Sequence, residues 1–499
     1  MSSKSPCGGP AANPLRGVLL VTSLLLGSSA LAQTYDVVLQ GGRVLDPETG
    51  LDATRNVGIV KDRIVRVSAD TLTGRRIIDA RGLVVAPGFI DLHQHGQDAD
   101  SGRLKAFDGV TSGLEMEIGV PDVAAFLRHK AGHSLINYGS TASHAAARAG
   151  VFNAAVSEEQ LVPPAGAATD QPATDAQIET MEHRLKSELD AGALGIGMGI
   201  QYTPGATREE VIRIFRIAAE RRVPVFTHVR SFGRLEPGSS IEAVGEVIAA
   251  AAVTGASLQV VHINSSCLKD GLECLAMVAG ARARGLDVTT EAYPYTAGMT
   301  YINSALFNPG WKEKLGIDYS ALQLPDSGER LTQARFEELH KSGSPQAVLV
   351  FMNSQEMADA VIANPLVSIA SDGEMGHPRN AGTFSRILAR YVRDIGSVTL
   401  MDAIRKMSLM PAERLEKSVG PGHRKGRLQE GADADVIVFD PKTVSDKATY
   451  QAPREPSIGM KFVIVGGTVL IDQGKLVPNA FPGKPLCGGN SACGAESSR

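Results

Sequence analysis

The sequence predicts an α/β fold, in which a (β/α)₈ TIM-like barrel carries a small β-sandwich domain formed by the N- and C-terminal segments. Three observations predict it. Short apolar runs alternate with helical stretches through the middle of the chain, β-rich segments bracket that middle, and polar residues cluster where the apolar runs end.

The barrel is predicted from a count of the apolar runs. Eight strands over about 320 residues fit a closed barrel with insertions at Val156–Thr180 and Met299–Ser344. An open doubly wound sheet is the alternative, but it predicts a glycine-rich phosphate-binding turn after the first strand, which the sequence lacks. The runs are Leu83–Leu92, Thr111–Ile118, Ser134–Ser140, Ala193–Ile200, Pro224–His228, Leu258–Ile263, Asp287–Ala292 and Val367–Ser371.

The small domain is predicted from matching β patterns near both ends of the chain. Tyr35–Asp46 and Val57–Val67 alternate apolar and polar residues around turns, and Ala434–Asp440 and Lys461–Leu470 repeat the pattern. We therefore place this domain at residues 33–87 and 421–480, with the barrel at 88–420 between them. Residues 481–499 are rich in glycine and predict a flexible C-terminal tail.

Residues 1–32 have the pattern of a secretory signal peptide. Lys4 and Arg16 precede the apolar run Gly17–Gly27, and the small residues Ala30 and Ala32 follow it. A membrane anchor is the alternative, but a run of about 11 apolar residues is too short to cross a bilayer. The mature protein is expected to be periplasmic or secreted and free of the membrane.

Composition narrows the partners. The formal net charge is −4 with no long basic run, which argues against nucleic acid and leaves a small molecule as the expected partner. The composition does not predict an oligomeric state.

Four cysteines remain after signal cleavage. None of them forms a Cys-x-x-Cys pair, which argues against a thiolate zinc site, and Cys487 and Cys493 are placed to close a small disulfide loop.

The ends of the predicted strands carry the residues that suggest chemistry. Active-site groups of such barrels lie at the carboxyl ends of the strands. His93 and His95 stand two apart and share one face of a strand, which is a chelating arrangement. A metal site is therefore predicted, and its members at the strand ends are His93, His95, His228, His262 and Asp372.

Glu115 and Glu117 end the second run on one face. Carboxylates inside a barrel need a cation nearby, so one of them is expected to bridge two metal ions, while a buried salt bridge is the alternative. Glu117 is favoured because it lies closer to the end of the strand, with Glu115 as the substitute.

Other polar residues near strand ends have expected roles. Asp372 fits a general base, which takes a proton from the attacking water and passes it to the leaving nitrogen. His144 follows the third strand and is a candidate for substrate contact. Arg379 follows the eighth strand, where it either grips a substrate carboxylate or forms a structural ion pair.

Several segments together resemble the amidohydrolase superfamily, and within it the N-acyl-D-amino-acid deacylases (D-aminoacylases). The resemblance covers nearly the whole mature chain. Its segments are Asp79–Gly82, Pro87–His95, Gly192–Gly205, Phe226–Arg230, Glu291–Tyr295, Ser371–Gly373, His377–Phe384, Pro411–Leu415 and Gly431–Asp435.

The resemblance implies zinc, as one or two ions, on the four histidines named above, and Asp372 as the catalytic base. It implies that Arg379 holds the amino-acid carboxylate and that Tyr293 and Tyr295 line the substrate pocket. One departure stands out: the family usually carries a cysteine ligand after the second strand, where this chain has Glu115–Gly119. A hard oxygen then replaces a soft sulfur.

The sequence therefore predicts a metal-dependent hydrolase that cleaves the amide bond of N-acyl amino acids, with the D configuration favoured. A dipeptidase, a cyclic-amide hydrolase or a lactonase on the same scaffold is the alternative, because loop residues alone separate these substrates. A non-catalytic binding protein is disfavoured because the ligand set is complete.

Overall fold

The strands fall into three sheets. A computed structural model describes residues 34–154, 156, 160–419 and 423–488, so the predicted signal peptide and the end of the predicted tail lie outside the described residues. The strands are β1 Tyr35–Asp46, β2 Leu51–Val60, β3 Arg63–Ser68, β4 Gly74–Asp79, β5 Val84–Pro87, β6 Phe89–Asp91, β7 Val110–Val120, β8 Asn137–Ser143, β9 Ile196–Gly199, β10 Val225–His228, β11 Leu258–Val260, β12 Val288–Ala292, β13 Ala297–Tyr301, β14 Leu322–Gln323, β15 Ala347–Phe351, β16 Val367–Ile369, β17 Val436–Phe439, β18 Met460–Val465, β19 Thr468–Asp472 and β20 Lys475–Leu476.

Helices occupy most of the connections between the barrel strands. Within the ranges described above, none is long and apolar enough to cross a membrane. The α-helices are α1 Ala99–Phe107, α2 Val123–Lys130, α3 His144–Val151, α4 Ala167–Asp170, α5 Asp175–Asp190, α6 Arg208–Arg221, α7 Ser240–Thr254, α8 Ile263–Cys267, α9 Gly271–Ala283, α10 Trp311–Leu315, α11 Gln333–Ser342, α12 Gln355–Ala363, α13 Arg379–Arg386, α14 Leu400–Ile404 and α15 Met410–Leu415.

Eight parallel strands form the barrel, in the order β6, β7, β8, β9, β10, β11, β12, β16. Each of the eight apolar runs contributes a strand, which confirms the predicted fold class. The first run is divided. Val84–Pro87 pairs in the small sheet, the chain turns at Gly88, and only Phe89–Asp91 enters the barrel. A side chain at position 88 would collide with Thr111, so the turn needs glycine.

The backbone beyond Asp372 closes the barrel between its first and last strands. The carbonyl of Gly373 accepts hydrogen bonds from the amides of His95 at 2.9 Å and Gly96 at 2.8 Å, and the amide of Gly373 donates to the carbonyl of His93. The segment that carries Asp372 is thereby held directly beside the segment that carries both histidines.

The small domain is built from both ends of the chain, as predicted. Nine strands form its sheet, and β5 pairs antiparallel with β17, placing Val85 opposite Val438. Buried apolar side chains of the two halves share one core, with Val57 from the first half and Ile464 from the second. The strands are rich in valine and isoleucine, whose branched side chains pack well on a pleated surface.

The second predicted insertion has a structure of its own. β13, β15 and β14 form a three-stranded antiparallel sheet between barrel strands β12 and β16. The insertion runs beyond the predicted Met299–Ser344, because β15 at Ala347–Phe351 belongs to it. This sheet brings Met299 and Val350 to the cavity that contains the predicted site residues.

The predicted flexible tail is wrong for residues 481–488. Leu486 is 1% exposed and packs against apolar side chains of the barrel strands, among them Leu114 and Leu194. The amide of Leu486 donates to the carbonyl of Tyr138 at 2.7 Å, and the amide of Gly488 donates to that of Gly192. One buried leucine and these backbone hydrogen bonds fix a segment whose glycine content suggests mobility.

Replacing Leu486 by alanine is expected to destabilise the protein by about 2–4 kcal/mol, because it leaves a cavity among the barrel side chains. The shift of the midpoint in urea unfolding measures the effect. Phe481→Ala is the control, since Phe481 is 46% exposed and its loss should cost less than about 0.5 kcal/mol. Equal effects of the two substitutions would contradict the packing described for Leu486.

Candidate metal centre

Six polar side chains that the sequence singled out converge at the carboxyl ends of the barrel strands. All are buried except His95, which is partly exposed. They are His93 and His95 after β6, Glu117 in β7, His228 at the end of β10, His262 after β11 and Asp372 after β16.

Two of these residues have a backbone conformation that side chains disfavour. The φ angles of His262 and Asp372 are +30° and +51°, in the left-handed region. Such a conformation costs about 1–3 kcal/mol for a residue other than glycine, and it recurs where function needs a side chain at a fixed point. His262 lies two positions and Asp372 three positions beyond a strand, where this backbone turn aims their side chains at the common cavity.

Four side chains form a first cluster, which we call cluster 1: His93, His95, Glu117 and Asp372. The Nε2 atoms of His93 and His95 are 3.1 Å apart. Each lies 3.1 Å from Glu117 Oε2 and 3.3 Å from Asp372 Oδ1. Four ligand atoms about 2.0–2.1 Å from a central ion lie about 3.3–3.4 Å from one another in a tetrahedron, so the spacing fits zinc.

Three side chains form cluster 2: Glu117, His228 and His262. Glu117 Oε1 lies 2.6 Å from His228 Nδ1 and 2.8 Å from His262 Nε2, and these two nitrogens are 3.0 Å apart. Glu117 therefore presents Oε2 to cluster 1 and Oε1 to cluster 2. A carboxylate placed in this way can bridge two ions.

The charges of the site also fit a cation. Burial lowers the pKa of His93, but the carboxylates of Glu117 and Asp372 outweigh burial and raise it to about 10. Burial acts to raise the pKa of Glu117, yet His93 and His228 hold it well below its usual range. The carboxylates thus require positive charge beside them, which a divalent ion supplies without protonating the histidines.

The ring nitrogens that face away from cluster 1 have carboxylate partners. His93 Nδ1 lies 2.7 Å from Glu291 Oε1, and His95 Nδ1 lies 2.6 Å from Glu115 Oε2. Such partners fix the orientation of a metal-binding imidazole and increase its basicity. Glu115 therefore supports His95 and is not a member of either cluster, so the geometry selects Glu117 from the two carboxylates.

A buried ion pair supports the two segments of cluster 1. Asp91 accepts a hydrogen bond from Lys105 Nζ at 2.7 Å and another from the amide of Ser371 at 2.9 Å, and it also accepts one from the amide of His93. The carboxylate thus ties β6 to the residue before Asp372. Because Lys105 and Asp91 are fully buried, each charge depends on the other.

Arg379 lies beside the cluster, behind Asp372. Its Nη1 is 2.8 Å from Asp372 Oδ2, and its guanidinium lies 4.8 Å from the ring centre of Tyr293. Burial would raise the pKa of Asp372, but Arg379 and His93 hold it well below its usual range. The ion pair lacks a well-aligned hydrogen bond, so the guanidinium nitrogens of Arg379 have no hydrogen-bond partner among the described residues.

The structure places two of the predicted substrate contacts away from both clusters and from the cavities beside them. His144 is fully buried at the start of α3, where its Nε2 lies 2.8 Å from Glu210 of α6, so it belongs to the packing of the outer helices. Tyr295 packs edge-on against His377 and beside Arg386, and it does not line the cavities of the site. Tyr295 stands two residues from Tyr293 and His144 follows a barrel strand, but neither side chain lines the cavities of the site.

Two small chambers open beside the clusters. The inner chamber, about 40 Å³, is bounded by His262 and Tyr293 and by apolar side chains. The outer chamber, about 60 Å³, is bounded by Tyr301 and Glu374. His95, Glu117 and Tyr202 line both.

Sequence reasoning missed several of these groups. Tyr202 follows β9 by three residues and Glu374 follows Asp372 by two, so the strand-end rule that found the histidines extends to both. Glu291 gave a weaker signal: it lies within β12, and its side chain reaches His93 across the barrel.

Comparisons with known proteins agree with this geometry. Residues 76–471 match the amidohydrolase family. An N-acyl-D-glutamate deacylase of Alcaligenes xylosoxydans xylosoxydans is 30% identical over 93% of this chain and 99% of its own, and a D-aminoacylase of the same organism is 28% identical over 88% and 95%. The crystal structure of an N-acyl-D-glutamate deacylase of Bordetella bronchiseptica, complexed with zinc and a phosphonate inhibitor, superposes with a TM-score of 0.77 at 25% identity and covers 91% of this chain and 100% of its own.

The family match covers most of the chain. The clusters contain the four histidines and Asp372 that the sequence resemblance implied, together with Glu117, which the strand-end pattern favoured. The chain belongs to the amidohydrolase family and is a hydrolase that acts on carbon–nitrogen bonds.

Proposed function

We propose that the protein is a zinc-dependent deacylase of N-acyl-D-amino acids. The observation that carries the proposal is the pair of clusters that share Glu117, with Asp372 at their edge beside a small chamber. The names of the relatives support the substrate class, since both Alcaligenes proteins are named for deacylation or aminoacylase activity on D-amino acids.

The residues of cluster 1 would hold the first zinc ion, and those of cluster 2 a second. When bound, zinc supplies the positive charge that polarises the amide carbonyl and makes water acidic enough to attack at neutral pH. Glu115 and Glu291 keep the imidazoles of His95 and His93 turned toward the ion.

Asp372 would move the proton. Its carboxylate is ionised because Arg379 and His93 lower its pKa, so it is ready to accept a proton from the attacking water. The carboxyl group of Asp372 then delivers this proton to the leaving nitrogen. The nitrogen departs as the amine of a free amino acid. The bond that breaks is the amide C–N bond, and the acyl carbon gains the oxygen of the water.

Tyr293 would bind the α-carboxylate of the substrate. Its hydroxyl has no hydrogen-bond partner of good geometry among the described residues, and its ring lines the inner chamber. The guanidinium of Arg379 lies behind that ring and makes the local potential positive. Arg379 was predicted to hold the substrate carboxylate directly. Because it does not line either chamber, we propose that it acts on that carboxylate indirectly, through Tyr293 and Asp372.

The test is hydrolysis of paired N-acetyl-D- and N-acetyl-L-methionine by the mature protein, first stripped of metal and then supplied with zinc. We expect zinc to restore release of D-methionine, with at least about 100-fold preference for the D substrate. Zinc binding without hydrolysis of either enantiomer, together with turnover of a dipeptide, a cyclic amide or a lactone, would reject the proposal and select one of those alternatives.

We also propose that the protein acts in the periplasm or outside the cell. The signal-like pattern of residues 1–32 supports export, and so does the disulfide between Cys267 and Cys274, since such bonds persist in oxidising compartments. Cys487 is disulfide-bonded as well, while Cys493, its predicted partner, lies outside the described residues. N-terminal sequencing of the exported protein should begin at Gln33; retention of residues 1–32 would contradict cleavage.

A further inference from the structure

We infer, resting on the proposed deacylase function, that the amino-acid part of the substrate carries an uncharged, mainly apolar side chain. The chambers beside the clusters have no lysine or arginine that could pair with a second carboxylate, such as that of glutamate or aspartate. The inference concerns this chain in particular, because a relative at 30% identity is named for its action on N-acyl-D-glutamate.

The walls of the inner chamber carry the first step of the argument. Apart from the metal-binding groups and Tyr293, most of its lining is apolar, and its other polar side chains are the uncharged Tyr202, Ser265 and Thr300. Insertion strands β13 and β15 contribute Met299 and Val350, and Met352 follows β15. Phe232 and Leu306 complete this surface and are 3% and 7% exposed. A thioether or branched alkyl side chain can replace water against these walls with a gain from burial.

The charges around the chambers carry the second step. Among the residues that the structure describes, no lysine or arginine lines the inner or the outer chamber. Arg379 is the cation beside Asp372, but it is ion-paired with that carboxylate at 2.8 Å and lines neither chamber. Burying a second carboxylate without a cation or several donors costs several kcal/mol.

The outer chamber does not supply the missing charge. Besides the metal-binding groups, Tyr202 and Thr300, its polar side chains are Glu374 and Tyr301, and the Tyr301 hydroxyl donates to Glu374 Oε1 at 2.6 Å. An anionic side chain that entered here would meet the oxygens of another carboxyl group, and so would find an acceptor where it needs a donor.

Two cations lie in a separate cavity of about 200 Å³, on the far side of Phe232 and Leu306. Arg230 is one of them, and it is already paired with Glu246 at 2.6 Å. Lys314 is the other, and a side chain in the inner chamber would have to displace the buried Phe232 or Leu306 to reach it. Of these two cations, one is therefore already ion-paired, and apolar side chains separate the other from the inner chamber.

The experiment compares three substrates of nearly equal length: N-acetyl-D-methionine, N-acetyl-D-glutamine and N-acetyl-D-glutamate, with zinc-loaded mature protein. We expect kcat/KM to fall in that order, with glutamate at least about 100-fold below methionine. Glutamate hydrolysed as fast as methionine would overturn the inference and leave the proposed function standing. Failure of all three, together with turnover of a cyclic amide, would reject both.

A variant pair tests whether charge is the cause. Met299 lines both chambers, so Met299→Lys adds a cation there, and Met299→Gln has a similar length without charge. We expect Met299→Lys to raise the ratio of glutamate to glutamine hydrolysis about tenfold over that of Met299→Gln. Equal ratios in two variants that still hydrolyse N-acetyl-D-methionine would contradict the electrostatic explanation.

Discussion

Replacing Asp372 by asparagine is expected to lower kcat by about 10³- to 10⁴-fold while zinc remains bound. The carboxamide has nearly the same shape and still offers an oxygen where Asp372 Oδ1 meets His93 and His95, 3.3 Å from each. It cannot accept a proton from water at neutral pH, so the proton transfer fails. The measurements are steady-state kinetics with N-acetyl-D-methionine and the zinc content of the dialysed protein.

The matched control is Asp62→Asn, which removes an exposed carboxylate at the turn between β2 and β3. It should leave kcat within about twofold of the wild type. Full activity of Asp372→Asn would contradict its role as the base. Loss of zinc in that variant would show instead that the negative charge of Asp372 is needed to hold the ion.

The second large effect is expected at Glu117, whose carboxylate is shared by the two clusters. Glu117→Gln removes the negative charge between four histidines, and we expect zinc affinity to fall by more than about 100-fold. Glu115→Gln, two residues away on the same strand, removes the charge beside His95 Nδ1, while an oxygen remains to accept from the amides of Ile118 and Gly119. Zinc affinity should then fall by about 10- to 100-fold.

Competition with a zinc chelator, with circular dichroism as a check on folding, separates the two variants. The critical result is which of the two variants loses more zinc affinity. A larger loss of affinity in Glu115→Gln than in Glu117→Gln would contradict the assignment of Glu117 as the shared ligand.

The sequence predicted the barrel and the convergence of the site well, because both depend on local rules. Apolar runs of strand length have a clear pattern, and a residue at the end of a parallel strand lies at the mouth whatever the loops do. His228 and His262 stand 34 residues apart, yet the rule brings them together, and their ring nitrogens are 3.0 Å apart.

Its place nearer the strand end favoured Glu117 over Glu115, but the sequence does not show what separates the two carboxylates. Glu115 and Glu117 share a strand face, and the pairing of β7 with β8 is irregular between Glu115 and Val120. Gly119 within that stretch has a φ of +74°, a conformation available mainly to glycine. This local departure from a regular strand separates the two side chains, and periodicity gives no sign of it.

Two further differences between the predictions and the structure come from partners distant in sequence. His144 follows a barrel strand, as the site histidines do, but Glu210, 66 residues away, holds it among the outer helices. Leu486 stands in a glycine-rich segment, and its place in the apolar core cannot be read from composition. Packing partners of this kind are set by the tertiary fold.

The hydrogen bonds around Gly373 have a consequence for how the protein folds. They join strands that lie some 280 residues apart in the chain, just as Ser371 and Asp91 do. Contacts between such distant segments carry a large loop-closure entropy and form late in slow-folding topologies. Cluster 1 therefore cannot assemble until the segment around residue 372 joins residues 93 and 95, so full metal binding requires the first and last barrel strands to be in place together.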